Sequence, residues 1–147
     1  MEDPRPEMVT LQVQLLGDGG VQPTQAYVGD VGWDLHVSRH TVIPARSFRD
    51  VPTDIAVAIP HGYWGRITGR SSTVRKRRLL VNEGIIDSGY RGELFVAVWN
   101  LDDVPHALAP GDRIAQLLIH STVKVVWFPT RDLPSGDRGK NGFGSSG

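Results

Sequence analysis

Apolar residues along this chain fall mostly at every second position or in short runs. Leu11, Val13 and Leu15 alternate with Gln12 and Gln14, which predicts a strand with one face toward a core. Leu35 and Val37 flank His36 in a shorter segment of the same kind. Residues 55–59 form an apolar run that predicts a strand stopped by Pro60, His61 and Gly62, with residues 63–68 as its neighbour. Residues 94–99 predict a buried strand, and so do residues 114–119. Residues 123–128 are apolar apart from Lys124 and predict a last strand, ended by Pro129. Strand signals spaced by about ten residues are the pattern of a sandwich or barrel. Helical periodicity is confined to a turn or two over residues 72–77, where Ser71 or Ser72 could cap the start. The fold class expected is therefore all-β.

The last thirteen residues differ in kind. Gly136, Gly139, Gly142, Gly144 and Gly147 fall among them, with one aromatic, Phe143, and the cations Arg138 and Lys140. Such a segment buries too little apolar area to order itself. One reading is a flexible terminus. The other is a mobile arm that closes over a ligand: glycines admit phosphates to backbone N–H groups, Arg138 supplies charge and Phe143 a stacking face. The chain divides accordingly into a β domain over residues 1–134 and an arm over residues 135–147.

Composition narrows the chemistry. The chain has 147 residues, enough for one domain with a core. Its 16 basic and 16 acidic residues balance, so nucleic acid is not an expected partner. With no cysteine, disulfide scaffolds, thiol nucleophiles and thiolate zinc sites are excluded, and with them the zinc-dependent nucleobase deaminases. Residues 1–8 are polar and lack the apolar core of a signal peptide, and no stretch is long enough to span a bilayer. A soluble cytoplasmic protein without membrane contact is expected, with a nuclear setting or a viral origin left open.

Four further segments carry candidate chemistry. Gly32 and Trp33 lead into Asp34, which is either a turn aspartate or an acid near a metal–phosphate complex. Gly69, Arg70, Ser71, Ser72 and Thr73 follow a strand and open the short helix, a combination suited to an oxyanion or phosphate. The Arg75, Lys76, Arg77, Arg78 run that follows reads first as a solvated face. Ser88 and Gly89 form a tight turn between Ile85-Ile86 and the strand after Gly92, which predicts a β-hairpin. Its exposed backbone could pair with the edge of a planar base, and Asp87 beside it could act as base for a water. Gly111, Asp112 and Arg113 turn into a buried strand holding one amide, Gln116, either a satisfied core amide or a phosphate contact.

In order and spacing these segments resemble the five motifs of the trimeric dUTPase family. Gly32-Trp33-Asp34-Leu35 comes first, then Arg70-Ser71. The run from Gly84 through Asp87, Gly89, Tyr90 and Arg91 to Glu93 is third, and Gly111 through Leu117 fourth. Arg138 through Phe143 to Gly147 is last. The resemblance covers residues 9–147, and its third and fifth motifs are the most specific.

The resemblance implies a distorted jelly-roll β-barrel with a flexible glycine-rich arm, assembled as a homotrimer with shared active sites. It implies hydrolysis of dUTP to dUMP and pyrophosphate, limiting uracil in DNA and supplying dUMP for dTMP synthesis. Asp87 would activate water for attack on the α-phosphorus. Arg70, Ser71, Ser72 and Gln116 would touch phosphates, and the backbone of Gly84, Ile85 and Ile86 would read uracil. Tyr90 would pack against the deoxyribose. From the arm, Arg138 would hold the γ-phosphate and Phe143 cover the uracil, with Gly144, Ser145 and Ser146 near phosphate oxygens. Mg2+ would bind through the phosphates, with Asp34 at most in its outer shell.

Trp33 departs from the family's usual tyrosine, and Ser72-Thr73 from its usual Gly-Leu. Ser71-Ser72 resembles the dCTP deaminases, which share the fold. Those carry a catalytic glutamate in the strand after the third motif, where this chain has Ala97 between Val96 and Val98. A non-catalytic, nucleotide-sensing module is the other class to separate from an enzyme.

Overall fold

The computed structural model describes residues 7–144. Eleven strands and one short helix make up these residues: β1 Gln12–Leu15, β2 Trp33–His36, β3 Thr41–Ile43, β4 Phe48–Pro52, β5 Ile55–Ala58, β6 Tyr63–Gly69, α1 Ser71–Arg77, β7 Leu79–Val81, β8 Gly84–Ile86, β9 Phe95–Asn100, β10 His106–Leu108 and β11 Arg113–Ser121. All pair antiparallel, in the orders β2-β11-β6-β8, β4-β9-β7, β1-β5 and β10-β3.

Backbone bonds between these sheets wrap them into a distorted jelly roll. Leu94 N donates to Ile55 O at 2.9 Å and Ser38 N to Pro52 O at 3.0 Å, while Val37 N on Asp112 O at 2.8 Å extends the β2-β11 pairing within its sheet. The alternation of each strand sends one face inward. Leu35, Val51, Ile55, Ile67, Leu79, Val96, Val98, Ile114 and Leu117 meet in one core, each nearly or wholly buried.

Five expectations need correction. Residues 63–68 are not the neighbour of the strand before them: β5 bonds β1, whereas β6 bonds β11 and β8. The strand over residues 123–128 is absent: Thr122 N still bonds Gly62 O at 2.8 Å, but residues 123–128 join no ladder among the described residues and all are exposed. β-branched and aromatic residues make a strand only when a partner edge exists. The hairpin around Ser88-Gly89 is also absent as a pairing. β8 bonds β6, whereas β9 bonds β4 and β7, so the turn passes from one sheet to another. β9 is not buried throughout but alternates, with Phe95 and Trp99 outward. Neither Ser71 nor Ser72 caps α1. Arg70 occupies the N-cap in extended conformation with no side-chain cap bond, and the helix is pinned instead by buried Thr73, whose Oγ1 donates to Ile114 O at 3.3 Å.

Candidate active site

The first, second and fourth motifs meet at one end of the β2-β11-β6 sheet. Register sets Gln116 of β11 between Asp34 of β2 and Thr68 of β6. Asp34 is 8% exposed, and its Oδ1 lies 2.9 Å from Arg70 Nε while Oδ2 lies 3.7 Å from Arg113 Nη1. Arg70 Nη1 donates to Ser72 Oγ and to Arg113 O, each at 3.4 Å. Gln116 Nε2 donates to Gly69 O at 3.1 Å. The side chains of three separate segments are thus locked into one cationic, hydrogen-bonding corner suited to a polyanion.

Beside this corner lies a cavity of about 320 Å³ lined by Thr68, Arg70, Ser71, Val74, Leu80 and Glu83, among others. His36, next on the same face of β2 as Asp34, has its Nδ1 buried without a hydrogen-bond partner. Burial lowers its pKa; Asp34 pulls it upward, and Arg113 and Arg70 push it down again.

The third motif begins beside this cavity and runs away from it along β6. β8 is the edge of its sheet, so one side of Gly84, Ile85 and Ile86 presents unpaired backbone N–H and C=O groups. Asp87 follows directly and is exposed. A turn closes with Tyr90 N donating to Asp87 O at 3.1 Å. The Tyr90 ring is fixed, because its hydroxyl donates to Glu93 O at 2.8 Å and any side chain at Gly92 would collide with it.

Gly84 lies opposite Ile67, three residues before Arg70, but Asp87 at the other end of β8 lies farther along the strand. Ile86 pairs with Gly65, and antiparallel register puts Asp87 level with Trp64, six residues before Arg70 on β6. At roughly 3.3 Å per residue that is about 20 Å. No single triphosphate reaches from one to the other.

Every described residue from 121 to 144 except Gly142 is exposed, and Phe143 stands clear of the body. A turn is formed by Gly139 N on Gly136 O and Asn141 N on Arg138 O, both at 3.0 Å. Gly144 has φ 86°. Ser145 and Ser146 lie outside the described residues.

Among the described residues no group of three or more His, Asp or Glu forms a metal cage. Both Asp34 oxygens face guanidinium groups. This donor set suits a magnesium ion that arrives on phosphate oxygens with its waters, not one held by protein carboxylates. Ala97 is half-buried on β9 and supplies no acid. Sequence reasoning passes over Arg113, although it lies inside the fourth motif, and over Glu83, which nothing in the pattern marks. Among the described residues no helix is long and apolar enough to cross a membrane.

A family model described as dUTPase matches residues 20–147. The deoxyuridine 5'-triphosphate nucleotidohydrolase of Oryza sativa subsp. japonica is 39% identical over 93% of this chain and 80% of its own length. That of Leifsonia xyli subsp. xyli is 41% identical over 85% and 84%. Among solved structures, the Staphylococcus bacteriophage 80alpha dUTPase with dUPNHPP superposes with a TM-score of 0.89 at 30% identity, covering 95% of this chain and 99% of that one. A mutant dUTPase from phage phi11 of S. aureus, described with a structural Mg(II) ion, gives 0.80 at 26% identity over 86% and 100%.

Proposed function

The chain belongs to the dUTPase family, and on that premise we propose that it cuts magnesium-bound dUTP to dUMP and pyrophosphate at sites shared between the copies of a homotrimer. It is a hydrolase of nucleotide metabolism, and we read it as cytoplasmic.

The observation that carries the reading is β8, an open strand edge that ends directly in an exposed carboxylate. Its unpaired N–H and C=O groups match the donor–acceptor edge of uracil, and the fixed Tyr90 ring offers a flat wall for deoxyribose. Asp87 then takes a proton from water as that water attacks the α-phosphorus, and the bond to the bridging oxygen breaks to release pyrophosphate. Arg70, Ser71, Ser72 and Gln116 of a second copy hold the phosphates. When bound, magnesium neutralises phosphate charge and the charge of the departing pyrophosphate. Arg138, Phe143, Gly144, Ser145 and Ser146 of the arm over residues 135–147 close the site against water.

The separation of about 20 Å between Asp87 and Arg70 is what favours sharing, since one chain alone supplies only half a site. Exposed Val126, Trp127 and Phe128, and the Phe48–Trp99 pair with ring centroids 5.4 Å apart, are apolar surfaces that assembly would cover.

The experiment is pyrophosphate release from dUTP with and without magnesium. Wild type should be active only with the metal, and Asp87→Asn and Arg70→Met should each fall by a factor of roughly a thousand. Mixing the two inactive variants after dissociation should restore roughly a quarter of wild-type activity, the share of sites that pair an intact Asp87 with an intact Arg70 from a neighbour. A mixture that stays inactive defeats the shared site, and an undiminished Asp87→Asn defeats the catalytic assignment.

A further inference from the structure

β8 has little to hold it. It is three residues long, bonded on one side only, and paired solely through Gly84 with Ile67, Ile85 with Arg66, and Ile86 with Gly65. Gly84 brings no side chain, and Ile85 is 61% exposed. Only Ile86 packs toward the core. So short an edge pairing is marginal by itself.

Glu83 is where the chain changes sheets. Asn82 N donates to Ala97 O of β9 at 2.8 Å, whereas Gly84 is already in the ladder with β6. Glu83 is the single residue between them. Its Oε1 accepts from Arg66 Nε at 3.1 Å, from Arg66 Nη2, and from Thr68 Oγ1 at 3.2 Å. Arg66 and Thr68 flank Ile67, the partner of Gly84. The crossover residue is therefore tied to both sides of the position that sets the β8 register. The Arg66 guanidinium also holds the Glu83 carboxyl below its usual range, so the tie is charged at neutral pH.

We propose that Arg66, Glu83 and Thr68 form a specificity clamp: they fix the backbone of β8 so that its open edge accepts uracil and rejects other bases. Arg66 and Glu83 are positioning residues, acting through Gly84 and Ile85 without touching the base. This rests on the reading that β8 holds the base. Hydrogen-bonded selection of a base works only if donors and acceptors hold their places, and a loosened strand admits the wrong partner. The Arg66–Glu83 pair is itself exposed, at 38% and 51%, so it adds little to overall stability and acts by fixing the geometry of the crossover.

The test compares wild type with Glu83→Gln, Arg66→Met and the double variant. Selectivity is read as kcat/KM for dUTP over that for dTTP and for dCTP. Each single variant should lower selectivity roughly tenfold, chiefly through a higher KM for dUTP, and the double variant should be no worse than the singles because the residues act as one unit. Arg66→Lys, which keeps the charge and loses the two-donor fork, should fall between wild type and Arg66→Met. Unchanged selectivity in both single variants overturns the clamp, as does a loss confined to kcat. Amide hydrogen exchange at Ile85 and Ile86 separates the clamp from the base-site reading. If wild type does not turn over dUTP, the base-site reading fails, and faster exchange in Glu83→Gln still supports the clamp. Unchanged exchange overturns it.

Discussion

Replacing Gly32 by alanine tests how the first and fourth motifs are joined. Gly32 does not have a left-handed φ, so its backbone accepts an alanine. The space does not. A Cβ there would stand 2.1 Å from Gln116 Oε1 and 2.9 Å from its Cδ, against an ordinary contact of about 3.5 Å. The Gln116 backbone is held between Asp34 of β2 and Thr68 of β6, so the amide must swing instead. Swinging breaks its bond to Gly69 O, a net loss of about 1 kcal/mol. A displaced rotamer adds about 1 kcal/mol more. For a chain of this size the sum of about 2 kcal/mol is a fall of roughly 4–8 °C in Tm, measured at matched protein concentration because assembly is linked to stability. A Gln116 amide that meets a phosphate is worth about 1.5–3 kcal/mol there, so kcat/KM for dUTP should drop roughly tenfold to a hundredfold. In a Gln116→Ala background the obstacle is gone, and Gly32→Ala should then add less than about 0.5 kcal/mol. Additive costs in that cycle, or a Gly32→Ala enzyme that melts and turns over like wild type, would refute the reasoning.

Two other perturbations bear on different parts of the molecule. His36 has a folded pKa below its ordinary 6.5, chiefly through burial, so its contribution to stability is complete above about pH 6.5 and is lost as pH falls through the lowered value. His36→Gln should flatten the decline of Tm on the acid side of 6.5, and a decline as steep as wild type's would exclude His36 as its source. Truncation after Pro134 should cut dUTP turnover sharply while the trimer persists by light scattering. Full turnover without the arm would remove it from the site.

The residues that carry the family resemblance are legible because each motif is a contiguous string. What the strings build is less so. Sequential strands usually pair, so Ile85-Ile86 and residues 94–99 read as a hairpin. In the fold β8 instead takes up register with Gly65, Arg66 and Ile67, a choice made by packing of Ile86 against the core and by the Glu83 tie, neither of which a local pattern contains. β3, β7 and β10 escape a reading by pattern because three residues are too few to show a period. Residues 123–128 carry the pattern of a strand and lack the partner, since pairing is a property of two segments and the pattern of one. Ser71 and Ser72 read as caps by their type. Arg70 takes the cap position because its side chain is drawn to Asp34, a partner 36 residues away in sequence (70 minus 34) and invisible to local reading.

Glycine shows the same division between type and place. The count of glycines suggests turns and a loose tail. Within the site, however, glycine serves to clear room. A Cβ at Gly32 would meet the Gln116 amide, and one at Gly92 would come within 2.5 Å of the Tyr90 hydroxyl. Neither position has a left-handed backbone, so what they provide is volume for one particular side chain. In the arm the relation is reversed: Gly139 and Gly144 have φ of 56° and 86° with nothing near them, and what they provide is conformation. An alanine at Gly32 or Gly92 therefore acts by displacing a neighbour, and its effect disappears when that neighbour is truncated. An alanine at Gly139 or Gly144 acts through the chain itself, and no second substitution relieves it. The motifs share a composition across body and arm, but at Gly32 and Gly92 it clears room for one side chain, whereas at Gly139 and Gly144, as at Gly111 in the body, it sets the backbone conformation.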